Sequence, residues 1–318
     1  MFRFITKRLL QMIPVILLVA TLIFTILYMV PGDPAQIMLG STATEYELAE
    51  MREQLGLNRP YIVQLGEFLY NTFIRFDLGT SYLTGAPVSA EIASRLPRTL
   101  TLLAFGIGIP LGVTAAVHQN GWGDRISMII ALLGVSIPTF WLAMLMVLLF
   151  SLKLRWFPAS GIGGWEYYVL PTVSLCFGGL ATQARQSRSS MLEVIRSDYV
   201  VTARAKGLSQ REVIFKHALP NALNPIITLA GNNLAVIFGG SVVIENVFSF
   251  PGIGQYMINA INQRDYPIVR GCVVMLAVVF AVIMLLVDLC YAFNDPRIKS
   301  RYVNTGKKKK AAVAKEQV

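Results

Sequence analysis

Six runs of mostly uncharged residues, each long enough to cross a bilayer, divide this chain of 318 residues. A backbone that crosses hydrocarbon must satisfy its polar groups internally, so runs of about 20 apolar residues are read as helices. Charged residues make up only 14% of the chain, against about 25% in soluble domains. The sequence therefore predicts an all-α integral membrane protein with six transmembrane helices, at 9–30, 99–117, 126–152, 167–184, 225–244 and 271–293.

The first run has the basic approach of a secretory signal, with Arg3, Lys7 and Arg8 before it. Its apolar core is longer than that of a signal peptide. It ends in the sequence MVPGD, where a cleavage site would have small residues. We therefore expect it to be a retained membrane span.

Lysine and arginine set the predicted orientation. With the N-terminus inside, 19 of the 28 Lys and Arg residues lie in inside segments. Positively charged loops stay in the cytoplasm, so both termini are expected there and residues 31–98 and 245–270 face outward. The net charge of +10 could also suit nucleic acid. Because the basic residues border the apolar runs, membrane lipids are the expected partner and no nucleic acid is expected.

The domain organisation follows from these runs. Residues 1–98 form the first span and a long extracytoplasmic loop, and residues 99–302 form the core, with a cytoplasmic loop at about 185–224. Residues 303–318 form a basic cytoplasmic tail that is expected to be disordered. Within the long loop, helices are predicted at 45–55, stopped by Gly56, and at 61–74. This loop either seats a partner protein or covers the bundle as a lid.

The cytoplasmic stretch 202–221 reads TARAKGLSQREVIFKHALPN and is unusually polar for this chain. Gly207 suits a left-handed helix stop, and Ser209 followed three residues later by Glu212 is a capping-box signature. Pro220 is expected to end the second helix. The pattern predicts a helix, a glycine bend, a capped helix and a proline stop. Such a rigid basic hairpin could lie on lipid or dock in a groove of a partner.

The spacing of Ala203, Gly207 and Leu219-Pro220 resembles the EAA loop of ABC importer permeases. Further stretches are similar to the dipeptide, oligopeptide and nickel branch of that family. The long outer loop resembles the first, B-type permease subunit of this branch. The similar stretches are VPGDP (30–34), DLGTS (77–81), RLP (95–97), ENVFSFPGIG (245–254), RDYP (264–267) and DPR (295–297).

The resemblance implies a type I importer in the inner membrane, built from two homologous permeases as a heterodimer, two ATPases and an extracytoplasmic substrate-binding protein. It implies that the EAA loop is a coupling helix that docks on the ATPase. ATP and magnesium would be bound by the partner ATPases, because this chain has no GxxxxGK[ST] phosphate loop and is not expected to be an enzyme. The residues expected in the coupling loop are Ala203, Arg204, Lys206, Gly207, Ser209, Glu212, Leu219 and Pro220.

Three other places are candidate functional sites. Asn232 and Asn233 lie mid-span and either line the solute pathway or form interhelical hydrogen bonds. Asp288 is expected to form a structural ion pair with Arg8 or Lys7, the alternative being a coupling carboxylate. The third place, formed by Phe250, Pro251 and Gly252, is either an outer gate or a re-entrant cap.

The favoured function is import of di- or oligopeptides by a permease coupled to separate ATPases. The same machinery could import nickel–chelate or glutathione. A self-sufficient secondary transporter or channel would need coupling groups inside the membrane, and Asp288 is the one candidate that the spans offer. A membrane scaffold or receptor would have no use for glycine-rich, broken spans.

Overall fold

The computed structural model describes residues 2–103, 129 and 136–294, and within these ranges the chain is helical, with no β-strand. Two stretches of the described chain are π-helical, Val147–Lys153 and Val213–Ala218, and they continue the helices that end at Met146 and Glu212. The helices are α1 Phe2–Met29, α2 Pro34–Leu39, α3 Glu45–Gln54, α4 Tyr61–Phe73, α5 Val88–Leu103, α6 Thr139–Met146, α7 Glu166–Ile195, α8 Asp198–Ala205, α9 Gln210–Glu212, α10 Leu219–Val247, α11 Ile253–Gln263 and α12 Tyr266–Asn294.

Helix α10 is the centre of the bundle. It packs along α7 and also contacts α5, α6, α11 and α12, while α1 lies against α12. Leu102 of α5, Leu175 of α7 and Phe238 of α10 belong to one buried apolar cluster, which Phe250 completes. Because α10 contacts α5, α6, α7, α11 and α12, a displacement of either of its ends would reach much of the bundle.

Two of the described helices are long and apolar enough to cross a membrane, namely α1 over Phe4–Met29 and α12 over Tyr266–Leu289. The predicted spans 167–184 and 225–244 lie inside α7 and α10, and both helices run well past those bounds. They do so because the polar sequence that flanks each apolar run is helical as well. The predicted span 99–117 lies largely outside the described residues, and the span 126–152 is described at 129 and from 136 onward, where it contains α6 and its π-helical turns. The count of six and the orientation therefore stay predictions.

The segment 31–98 is ordered by local capping. Thr44 and Glu47 form a capping box at the start of α3, and hydrogen bonds from the backbone and side chain of Thr44 lower the pKa of Glu47. Gly56 follows α3 with a φ of 67°. The two helices predicted at 45–55 and 61–74 are confirmed as α3 and α4. A hydrogen bond of 2.7 Å between the Thr25 and Tyr61 hydroxyls ties α4 to α1.

Candidate functional site

The polar hairpin, residues 198–218, contains the bend and the cap that its sequence predicts. Gly207 has a φ of 79°, and its amide donates to the Arg204 carbonyl over 2.9 Å. The Ser209 hydroxyl accepts from the Glu212 amide, and the Glu212 carboxylate accepts from the Ser209 amide, each over 3.3 Å. Hydrogen bonds from the Ser209 side chain and backbone lower the pKa of Glu212. The carboxylate is therefore charged and holds the cap at neutral pH.

The predicted stop at Pro220 is wrong. The π-helical turns Val213–Ala218 run directly into α10, and Pro220 lies in the first turn of that helix. Two physical effects explain this. A π-helical stretch shifts the hydrogen-bond register of the backbone, and proline fits the first turn of an α-helix, where a missing N–H costs little. The hairpin is consequently joined to the central helix without a break.

The hairpin has a small apolar core of its own. Met191 of α7, Val200 and Ala203 of α8, and Val213 and Ile214 beyond α9 are all buried in one cluster, together with residues at the start of α10. Ala203, one of the predicted coupling residues, is therefore a packing residue. Its small side chain lets α8 pack closely against the other members of this cluster. This core joins the hairpin, the C-terminal end of α7 and the N-terminal end of α10 into one packed unit.

The other predicted coupling residues lie on the surface of the hairpin. Arg204, Lys206, Gly207, Ser209 and Glu212 are exposed, as is Pro220, whereas Leu219 is half-buried.

The exposed surface also holds an aromatic side chain that the sequence reasoning missed. Phe215 is 57% exposed and follows the buried pair Val213 and Ile214 in the π-helical turns. Lys216 is exposed beside it. The signal in the sequence was a phenylalanine lying off the apolar face of a short polar helix. We define Phe215, Lys216, Arg204 and Lys206 as the basic–aromatic face.

A second site lies at the opposite end of α10, around the buried carboxyl group of Glu245. This group accepts hydrogen bonds from the Thr99 hydroxyl over 2.7 Å, from the Gly254 amide over 2.6 Å and from the Gln255 amide over 3.1 Å. The Thr99 hydroxyl also accepts from the Ile253 amide over 3.0 Å. Glu245 thus fastens the start of α11 to α5 and α10.

The candidate gate residues lie within this network. Phe250 is fully buried, and its ring packs edge-on against Tyr168 at 5.1 Å. The Pro251 carbonyl accepts from Arg98 over 3.2 Å. A side chain at Gly252 would overlap the Glu245 carboxyl group. The segment is therefore held rigidly by its neighbours. The sequence analysis did not single out Glu245. An acidic residue at the end of an apolar run, six positions before Pro251-Gly252, could have indicated it.

Asp288 lies beside Arg8 at the end of the bundle that carries the hairpin. The Arg8 Nη2 atom is 3.1 Å from Asp288 Oδ1, and the Arg8 guanidinium also lies over the Phe4 ring at 5.8 Å. The pair ties α1 to α12. Asn232 and Asn233 belong to α10, but their side chains lie outside the described residues.

The described part of the chain is thus a helical bundle with two membrane-length helices and a rigid polar hairpin, an arrangement that fits a membrane permease of the ABC importer class. Two family models match the chain. The binding-protein-dependent transport system inner membrane component matches residues 108–300, and the N-terminal model of the same component matches residues 1–103. The chain belongs to this family, and the resemblance stated from its motifs is confirmed.

Relatives agree with this assignment along nearly the whole chain. A putative peptide transport system permease of Brucella abortus is 45% identical over 309 residues, covering 93% of this chain and 98% of the relative. The glutathione transport system permease GsiC of Salmonella typhimurium is 40% identical over 305 residues, covering 94% and 99%. This chain is thus the permease subunit of an ABC importer of the inner membrane, which works with an ATPase and a substrate-binding protein.

Proposed function

We propose that this permease imports short peptides, pairing with a homologous second permease and crossing the membrane six times with both termini in the cytoplasm. The chain itself hydrolyses no ATP. The movement that accompanies ATP hydrolysis in the ATPase is transmitted to this chain through the polar hairpin. The observation that carries the proposal is the unbroken joint between that hairpin and α10. The names of the two relatives support the substrate class, because glutathione is itself a tripeptide. Glutathione is therefore the second candidate substrate.

The basic–aromatic face is the proposed contact with the ATPase. Exposed aromatic side chains that enter a pocket are the residues that contribute most to binding at protein interfaces. Arg204, Lys206 and Lys216 are exposed on the same hairpin as Phe215, and their positive charge would steer the approach of an acidic rim. The hairpin core prevents these residues from moving independently. A displacement of the ATPase is therefore passed to α7 and α10 as a rigid-body movement.

Reconstitution tests the proposal. We expect proteoliposomes with this chain alone to show neither ATP hydrolysis nor uptake of dialanine. The full set of two permeases, two ATPases and the binding protein should take up dialanine only with ATP. The concentration of glutathione that inhibits dialanine uptake by half shows which of the two substrates the importer prefers. Asp288→Asn should retain ATP-driven uptake, because the Arg8–Asp288 ion pair is partly exposed and such a pair contributes about 1 kcal/mol or less. Uptake by this chain alone, driven by an ion gradient, would contradict the proposal.

Phe215→Ala is expected to weaken ATPase binding about 30-fold, since the loss of a central aromatic anchor costs about 2 kcal/mol. The measurement is the amount of ATPase that co-purifies with the permease pair across a titration of ATPase. Tyr46→Ala is the matched control, because Tyr46 is an exposed aromatic on α3, at 78% exposure, far from the hairpin in the chain. Equal binding by Phe215→Ala and the control would remove the basic–aromatic face from the interface.

A further inference from the structure

Three of the family motifs, far apart in the sequence, meet on the predicted extracytoplasmic side. The Ser81 hydroxyl of DLGTS donates to Asp265 of RDYP over 2.6 Å, and the Tyr82 amide donates to the same carboxylate over 3.2 Å. At Gly32 of VPGDP, a Cβ atom would lie 3.3 Å from the Tyr266 hydroxyl oxygen. The polar hairpin uses none of these motifs, and neither does the Glu245 network, so their convergence needs another explanation.

A cavity of about 450 Å³ lies at this meeting point. It opens between the end of α1, the segment 31–98 and the first turn of α12, and its volume is within the range of small-molecule sites. Its lining is strongly polar for a cavity beside membrane helices. The polar lining includes Asp33, Arg52, Gln64, Tyr82, Tyr266 and Arg270.

The lining carries an excess of positive charge. Arg52 is neutralised by Asp33, with 2.6 Å between Arg52 Nη2 and Asp33 Oδ2. Arg270 has no ion-pair partner among the described residues. Its guanidinium lies over the rings of Phe24 and Phe68, at 5.6 and 5.2 Å. These contacts hold the guanidinium in place but supply no negative charge to balance it.

Asp265 is the carboxylate that acts electrostatically on Arg270. Both of its oxygens already accept hydrogen bonds, from the Ser81 hydroxyl and the Tyr82 amide. Asp265 therefore balances part of the Arg270 charge electrostatically, without accepting a hydrogen bond from it.

Two donors in this cavity lack an acceptor among the described residues. The Nε atom of Arg270 is buried and has no hydrogen-bond partner in the described part of the chain, and the same is true of the Tyr266 hydroxyl. Tyr266 is only 8% exposed. Tyr82 accepts from Arg270, which leaves its own hydroxyl hydrogen available. Burial raises the pKa of the Tyr82 phenol, so it stays protonated at neutral pH. Buried donors without acceptors are unfavourable and rare in native proteins.

We propose that the cavity is an oxyanion site, in which Arg270, Tyr82 and Tyr266 bind a carboxylate or a phosphate group. A guanidinium offers the planar donors that suit either oxyanion, and charge-assisted hydrogen bonds are the stronger kind. Two sources share this chemistry. One is a carboxylate or phosphate dissolved on the extracytoplasmic side, and the other is the phosphate of a lipid headgroup at the end of α1.

The test uses the assembled importer in detergent, with wild type, Tyr266→Phe and Arg270→Gln. The first arm measures the thermal unfolding midpoint in sodium phosphate, sodium acetate and sodium chloride at equal ionic strength. The second arm counts the phospholipid molecules retained on the complex by native mass spectrometry. Tyr46→Phe is the control for loss of an exposed phenol. Tyr266→Phe removes one oxygen atom and keeps the edge-on ring contact with Tyr82, so it stays informative if Arg270→Gln fails to assemble.

Phosphate or acetate should raise the wild-type midpoint above that in chloride. Tyr266→Phe should weaken the apparent anion affinity by roughly tenfold or more, and Tyr46→Phe should leave it unchanged. That result identifies a dissolved anion. Loss of a retained phospholipid from Tyr266→Phe, with no effect of dissolved anions, identifies the lipid headgroup. If wild type and Tyr266→Phe respond alike to both anions and retain the same lipid, the oxyanion site does not exist.

Discussion

Gly207→Val is expected to uncouple ATP hydrolysis from uptake while leaving the permease inserted in the membrane. Gly207 has a φ of 79°, a conformation that costs about 1–2 kcal/mol for a residue with a Cβ atom and more for a β-branched one. A Cβ atom there would meet nothing within 4 Å, so the effect arises from the backbone alone. Relief of this strain tilts α9 relative to α8, and a tilt moves the basic–aromatic face out of register with the ATPase.

Matched substitutions distinguish the effect of backbone strain in general from the effect of strain within the hairpin. Gly40→Val introduces at least as much strain, because Gly40 has a φ of 84° and a ψ of 179°, a conformation essentially restricted to glycine. Its Cβ position is also open, but it lies in the segment 31–98. It should leave coupling unchanged. Gly207→Ala should be milder than Gly207→Val, and Lys310→Ala should have no effect. The measurements are ATPase co-purification and dialanine taken up per ATP hydrolysed. Normal assembly and normal coupling in Gly207→Val would refute the assignment of the hairpin as the coupling element.

Glu245→Ala is expected to lower the stability of the permease by about 3–5 kcal/mol and to abolish uptake. The substitution removes the acceptor for two backbone amides at the start of α11 and for the Thr99 hydroxyl. Each buried donor left without an acceptor costs about 1–3 kcal/mol. It also leaves an empty space under Gly252. The start of α11 should then separate from α5, and the Phe250 segment should lose its fixed position.

Glu245→Gln and Glu67→Ala are the comparisons. Glutamine keeps one oxygen acceptor and the side-chain volume, so its effect should be smaller. Glu67 forms an exposed ion pair with Arg59, and its loss should change stability by about 1 kcal/mol or less. The measurements are the unfolding midpoint of the purified permease pair and protease cleavage near residue 250. A Glu245→Ala protein with a wild-type midpoint and no new cleavage would show that the network does not hold α11.

Features encoded by neighbouring residues could be predicted from the sequence. The capping boxes at Thr44 and Ser209 each need only a hydroxyl and a carboxylate three residues apart. The bend at Gly207 needs only a residue that tolerates positive φ. The end of α3 followed from Gly56, and α4 followed from its helical pattern, since its start has no side-chain cap. These interactions are complete within one turn of helix, so tertiary packing has little opportunity to override them.

Features that depend on distant residues could not be predicted. Pro220 fits within the helix because the preceding turns are π-helical, and no local signal announces that register. The role of Glu245 depends on Thr99, which is 146 positions away in the chain. The sequence places Phe215 off the apolar face of its helix, but its exposure follows from the packing that buries Val213 and Ile214. The pathway role of Asn232 and Asn233 stays a prediction.

The unbroken joint at Pro220 makes α10 a lever. Its 29 residues span about 43 Å at 1.5 Å per residue, with the hairpin fixed to one end and Glu245 at the other. A tilt of about 5° at the hairpin would displace the far end by about 4 Å. If the hairpin docks on the ATPase as proposed, a movement of a few ångströms at that contact would reach α11 and Phe250 along a single helix.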